Sequence, residues 1–251
     1  MVVLLADFFL GVIAFWRKEI FHNLNLKNIF WAAVLGFFSA LGSIFAFLGL
    51  SVGRANEAGF LFQLETFFAA ILAFLFLKEK LYKIQIRGLL IMGIGAYIFG
   101  TSLSYSFEIG NLFFLGSAFV WSINSVIAKS MVKHFSPFFL AFGRNFFSLI
   151  ILFPISVRYI PDNLKKLEVQ DVFYFLLYGL VVAGLILLLY FAFRYIKTAE
   201  AVSYQLLSPI LTAIMAFLIF GERLNTIQLI GGAIILLGLF LMIQIKTKYN
   251  T

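Results

Sequence analysis

Glu65 carries more chemistry than any other residue of this sequence. It stands in the stretch Phe62-Gln63-Leu64-Glu65-Thr66-Phe67-Phe68-Ala69-Ala70, inside an apolar run long enough to cross a bilayer. A carboxylate at membrane depth is costly unless it faces a cavity or a partner. Placed there, it can take up and release a proton or hold the amine of a solute. A hydrogen bond to a neighbouring helix is the structural alternative. Phe62, Glu65 and Ala69 recur at i, i+3 and i+7, so they share one side of a helix. Gln205, Ser208 and Thr212 repeat the stripe later in the chain. Pro209 follows Ser208 and is expected to kink its helix, because proline removes a backbone hydrogen bond. Thr66 holds the matching position without that effect, so the two segments are expected to bend differently.

Other polar residues fall inside apolar runs. Ser117, Trp121 and Asn124 form a further stripe. Trp121 can stack on a solute and Asn124 can hydrogen-bond one; packing and bonds between helices are the plainer alternatives. Gln63 and Tyr190 are further candidates for lining a cavity. Arg144 lies about a third of the way into its run, where a charge must snorkel, pair or clamp an anion. Glu79-Lys80 and Glu222-Arg223 sit at the ends of two runs and read as end caps and loop ion pairs. Gly49-x-x-x-Gly53 suits close helix packing.

The elements that position these residues are duplicated. Residues 31–98 align without a gap on residues 174–241, at a constant offset of 143. Apolar identities are cheap in such a sequence, but Glu57/Glu200, Glu79/Glu222, Gln85/Gln228, Gly88/Gly231 and Gly95/Gly238 are not. An internal duplication in a membrane protein points to two repeats around a central site.

Composition fixes the broad class. The chain is 63% hydrophobic and 12% charged, against roughly 25% charged in soluble domains. Nine spans are predicted, at about 1–16, 30–52, 56–77, 82–102, 110–132, 136–158, 172–194, 199–220 and 226–245. The net charge of +8 belongs to short loops beside these spans, which speaks against nucleic-acid binding. Cysteine is absent, and His22 and His134 fall near span ends, so nothing in the sequence asks for a metal or other cofactor. Alternate loops hold 13 and 5 Lys and Arg residues, which predicts a cytoplasmic C-terminus.

The expected fold is therefore all-α: a polytopic membrane helix bundle of two inverted repeats. Repeat one covers 1–102 with four spans, and repeat two covers 110–245 with five. By repeat symmetry the first copy lacks one span and its loop, on the order of 35 residues. The chain is accordingly expected to be an N-terminally shortened form of a ten-span protein, with a true nine-span variant as the alternative. An odd number of spans per repeat inserts the second copy upside down, the basis of alternating access.

Repeat two reads Gly110-Asn-Leu-Phe-Phe-Leu-Gly-Ser-Ala-Phe-Val-Trp121-Ser-Ile-Asn124, then Lys129, Ser136-Pro137 and Arg144. It continues through Ala199-Glu-Ala201, Leu207-Ser-Pro209 and Phe220-Gly-Glu222-Arg-Leu224 to Gly231-Gly and Gly238. This pattern resembles the EamA-type branch of the drug/metabolite transporter superfamily over essentially the whole chain. The resemblance implies ten helices and a cavity lined by spans three, four, six, eight and nine together with the first. It implies ATP-independent movement of small metabolites such as amino acids. Glu65-Thr66 departs from the Ser-Pro kept at Ser208-Pro209.

The function expected is a secondary transporter in the cell (inner) membrane, with a small-molecule substrate and the lipid bilayer as partners. Its cavity candidates are Phe62, Gln63, Glu65, Trp121, Asn124, Tyr190, Gln205 and Ser208, with proton coupling at Glu65. A non-transporting or partner-dependent membrane subunit is the alternative. An enzyme is not expected: no phosphate-binding loop is present, and Glu65 has only Asp7 as an acidic companion at membrane depth.

Overall fold

The computed structural model describes residues 9–12, 25–53, 58, 61–100, 109–157, 169–208, 210, 211, 214 and 226–243. The elements among them are helices and no strand. They are α1 (Leu26–Val52), α2 (Leu64–Leu77), α3 (Lys83–Gly100), α4 (Ile109–Met131), α5 (Pro137–Val157), α6 (Val169–Tyr195), α7 (Thr198–Ser203), a 3-10 segment (Tyr204–Leu207) and α8 (Thr226–Ile243). These match the predicted spans closely, except that 56–77 and 199–220 are broken. The predicted span 1–16 is described only at 9–12, which is helical.

Four of the helices, α1, α4, α5 and Asp171–Tyr195 of α6, are long and apolar enough to cross a membrane. α6 makes the point most clearly. Leu180, Val181, Leu185 and Leu188 are exposed, although the segment is strongly apolar. Surface of that kind needs lipid around it. The fold is a helical membrane bundle, as composition requires.

The chain divides into two compact units: 1–44 with 123–195, and 45–122 with 196–251. The boundaries fall inside α1, inside α4 and at the end of α6.

In the first unit, small residues let α1 and α5 approach. A methyl group on Gly36 would stand 2.9 Å from the Ser148 nitrogen and 3.0 Å from the Arg144 oxygen. Ala32 and Ala40, one turn to either side of Gly36, are also buried. This small-residue ladder is the usual way membrane helices pack without a hydrophobic driving force between them. The ends of α4 and α6 are tied reciprocally. Lys129 Nζ donates to Phe193 O at 2.5 Å, and Arg194 Nε donates to Val132 O at 3.2 Å. Helix C-termini leave carbonyls without intrahelical partners, and here a cation near the end of each helix serves the other.

The core of the second unit is the crossing of α3 and α8, built on Leu89, Met92, Ala96, Ile235, Leu239 and Met242. A methyl on Gly88 would stand 2.7 Å from Gly238 O, and one on Gly95 2.9 Å from Gly231 O. As numbering rises along α3, the partner's number falls along α8, so the helices run antiparallel. The duplication exchanges these two contacts: Gly88 is equivalent to Gly231 and Gly95 to Gly238. A contact set that maps onto itself is the mark of a two-fold axis through the crossing.

Candidate functional site

Six of the eight expected cavity residues lie in the second unit: Phe62, Gln63, Glu65, Trp121, Gln205 and Ser208. Two breaks in helical geometry position them. In repeat one, Phe62 and Gln63 form a turn before α2 starts at Leu64. Glu65 N–H donates to Phe62 O at 3.0 Å, and Thr66 N–H to Gln63 O at 3.1 Å. Both are i to i+3 bonds, tighter than the α-helical pattern. In repeat two, α7 ends at Ser203 and the chain continues as the 3-10 segment 204–207. There Ser208 N–H donates to Gln205 O, again three residues back.

The second break has a covalent cause. Pro209 has no N–H to offer Gln205 O, its α-helical partner, so the Ser208 N–H takes that carbonyl instead. Pro209 itself lies outside the described residues, as does Thr212. The first break forms without a proline. Thr66, the equivalent residue, keeps its N–H and still bonds as in a 3-10 turn. Its hydroxyl reaches to the other repeat and donates to Val202 O at 3.3 Å. The expected difference in bending between the repeats turns on Pro209 and so lies outside the described residues.

At the first break Glu65 is buried, with 9% of its surface exposed. Gln63 Oε1 is buried with no hydrogen-bond partner among the described residues. A buried amide oxygen in that state is a ready acceptor for a donor from a solute or water. Phe62 packs its ring on Trp121, centroids 5.1 Å apart, and on Phe114 at 5.5 Å. Both distances fall in the range of favourable aromatic pairs. Phe62 and Trp121 are each partly open, as a surface that contacts a solute must be. Gln205 and Ser208 are exposed. Ser117 is fully buried in the same unit. The geometry thus brings together an aromatic surface, a carboxylate and an unsatisfied acceptor beside broken backbone, a combination common at solute sites in membranes.

The other two, Asn124 and Tyr190, belong to the first unit and are engaged with each other. Asn124 Nδ2 donates to Leu35 O at 2.6 Å, and Tyr190 O–H donates to Asn124 Oδ1 at 3.5 Å. Both residues are buried, at 5% and 2% exposure. They link α1, α4 and α6 through one polar chain.

Glu79 is seen as an end cap. α2 closes on Lys78 in the left-handed region, φ 54°, with the Glu79 N–H donating to Ala73 O at 3.2 Å. Gly221, at the equivalent position of repeat two, is the residue type that reaches this conformation without steric cost. The turn aims the Glu79 carboxylate at Thr198, whose N–H donates to it at 2.8 Å and whose hydroxyl does so at 3.2 Å. Lys197 Nζ then donates to Lys80 O at 2.6 Å and lies 4.5 Å from the centre of the Tyr82 ring. Lys129 falls near the end of the predicted span 110–132 and is counted with the cations that flank the spans. The structure buries it in α4, and only its helical spacing from the end of that span hinted at this.

A scan against known families matches the EamA-like transporter family over residues 1–101 and 108–244. An uncharacterized transporter from Haemophilus influenzae is 29% identical over 233 residues, 86% of this chain and 74% of the relative. A riboflavin transporter, ImpX, from Fusobacterium nucleatum is 27% identical over 190 residues, 70% of this chain and 62% of the relative. Among solved structures, a crystal structure covers all of this chain and 88% of its own length, with a TM-score of 0.78 at 14% identity, a likeness of fold. An integral membrane protein built on a duplicated helical unit, with a buried carboxylate beside a helix break and this match along its length, belongs to the EamA-like transporter family.

Proposed function

We propose that the chain works as a secondary transporter that moves small metabolites, amino acids or related compounds, by alternating access. The observation that carries this reading is the break at Phe62–Gln63, which sets a buried carboxylate and an unsatisfied amide oxygen beside an aromatic surface. Phe62 and Trp121 offer that surface to the apolar part of a solute. Gln63 accepts a hydrogen bond from the solute, and Glu65 holds its amine or exchanges a proton as the site opens to either side. Gln205 and Ser208 serve the equivalent place in the second repeat, with the kink expected from the sequence at Pro209 as its hinge. Asn124 and Tyr190 are solute-contact candidates within the first unit.

The repeats are assigned to 1–102 and 110–245, inserted in opposite directions, with the C-terminus in the cytoplasm and the protein in the cell membrane. The antiparallel crossing of the equivalent helices α3 and α8 supports the inverted arrangement. Proton coupling at Glu65 follows from a carboxylate kept inside a span, where an ionisable group is costly without a task.

The test is uptake into proteoliposomes holding the purified full chain, across a panel of amino acids and related metabolites. Riboflavin is included because one relative carries that name. Each solute is followed with and without an imposed pH gradient. Uptake above protein-free vesicles that rises with the gradient is expected. Uptake of every solute at the protein-free rate contradicts transport, and uptake indifferent to the gradient contradicts coupling.

A further inference from the structure

The first unit holds a cation whose surroundings differ from those of its neighbours. Lys129 and Arg194 each donate to a helix-terminal carbonyl. Arg144, in α5, has its Nε buried with no hydrogen-bond partner among the described residues. Arg144 interacts electrostatically with the buried Tyr190 phenol, which heads the chain that runs through Asn124 to Leu35 O. The groups named around it are neutral. Asn145 and Ser148, on its own helix, are buried at 3% and 1% exposure. Asp171 is the one acid among the described residues of this unit. It lies 19 residues from Tyr190 along the same helix, about 28 Å at the rise of an α-helix. A guanidinium inside a span, with no anion beside it among the described residues of its unit, is a costly arrangement, and one donor left unbonded adds to the cost. An anion presented by a ligand removes both penalties at once. A carboxylate fits best, because its two oxygens match the fork of an arginine.

We infer that Arg144 is an anion-binding group that takes the carboxylate of the solute, with Tyr190 and Asn124 as positioning residues. The assignment deepens the transporter reading and rests on it for the identity of the ligand as a transported solute. Tyr190 donates its proton to Asn124, so its oxygen keeps acceptor capacity for a guanidinium that reaches it. Asn124 is fixed in turn by the α1 carbonyl at Leu35. Solutes that carry a carboxylate are then preferred to amines of the same side chain.

The test compares matched probes that differ only in a carboxylate: L-phenylalanine with 2-phenylethylamine, and L-leucine with isoamylamine. Binding is read as ligand-induced thermal stabilisation of the purified full chain, and transport is read separately as counterflow in proteoliposomes. Wild-type protein is expected to be stabilised by at least one acid and less by its amine. Arg144→Gln is expected to weaken acid binding by about 10- to 100-fold, the range for a lost charged hydrogen-bond pair. It should leave the response to the amines unchanged. Arg144→Lys keeps the charge without the fork and should fall between the two, which answers the case in which Arg144→Gln does not fold. Tyr190→Phe should give a smaller loss, confined to the acids. Equal preference for acid over amine in wild type and Arg144→Gln overturns the assignment, as does stabilisation by neither acid at millimolar concentration. Asp7→Asn guards against an internal ion pair: tighter acid binding in that variant would make Asp7 the normal partner of Arg144 and also overturn it. Acid binding that depends on Arg144 with no counterflow of any solute leaves the anion site standing and removes the transport reading. Counterflow of amines alone does the reverse.

Discussion

The chain breaks the same helix twice, once before Glu65 and once before Ser208, and reaches nearly the same hydrogen bonding by different means. At Ser208 the following proline lacks an N–H, so the Gln205 carbonyl is taken three residues on. At Glu65 no proline is present, yet the Phe62 carbonyl is also taken three residues on. Only the first repeat places a carboxylate at the break. The backbone distortion therefore belongs to the fold shared by the repeats, and the chemistry belongs to one of them. Pro209 makes the break obligatory in one copy. In the other, Thr66 ties the turn across to Val202 O through its side chain.

Six substitutions, in four tests, probe that comparison. The largest effect is expected for Glu65→Gln against Ser208→Ala. Glu65→Gln should lower uptake driven by a pH gradient by about 10-fold or more, the scale of a lost proton-transfer group, while the purified protein keeps its unfolding temperature. Ser208→Ala should keep the gradient response. Equal losses in the two variants would mean that the repeats share the coupling chemistry as well as the break.

Next come the glycines of the α3–α8 crossing. Gly95→Ala and Gly238→Ala put equivalent methyl groups 2.7 Å from backbone atoms of the opposite helix. Each should destabilise by about 1–3 kcal/mol, the cost of overpacking a close contact. Because the duplication exchanges the two positions, their losses in thermal unfolding should be similar. A markedly harmless member of the pair would break the two-fold description.

Thr66→Pro makes repeat one read like repeat two. The Phe62 carbonyl is already served by Glu65, so the change removes the Thr66 N–H bond to Gln63 O and the hydroxyl bond to Val202 O. The expected cost is about 1–2 kcal/mol, below the roughly 3 kcal/mol of a proline inside a regular helix. Unfolding in detergent measures it, and a cost well above that figure would show that the two breaks are not interchangeable.

The smallest effect belongs to Glu79→Gln. It keeps the shape of the side chain but removes the charge that caps Thr198. A loss of about 0.5–1 kcal/mol in thermal stability is expected.

Much of the fold was legible because it depends on periodicity and duplication. Apolar runs marked the helices, and the offset of 143 singled out the four glycines of the α3–α8 crossing, where each meets the counterpart of the other. The break before Glu65 was not legible. Nothing in Phe62-Gln63 resembles a proline or glycine signal, and the turn depends on contacts with the other repeat. Nor did spacing show that Asn124 and Tyr190 satisfy each other, since a hydrogen bond between residues 66 positions apart exists only once the helices have packed. Lys129 was hidden by its charge. A lysine near a span end reads as a loop cation unless the carbonyl it serves is known.

The crossing of α3 and α8 has a consequence for ancestry. Gly88 meets Gly238 while Gly95 meets Gly231, so each repeat brings the same pair of glycines to the other. Two identical half-length polypeptides, threaded into the bilayer in opposite senses, would bring the same glycine contacts together. A gene that doubled and fused in frame would inherit its central joint ready made. Its copies could then diverge elsewhere, as the carboxylate of one and the proline of the other record.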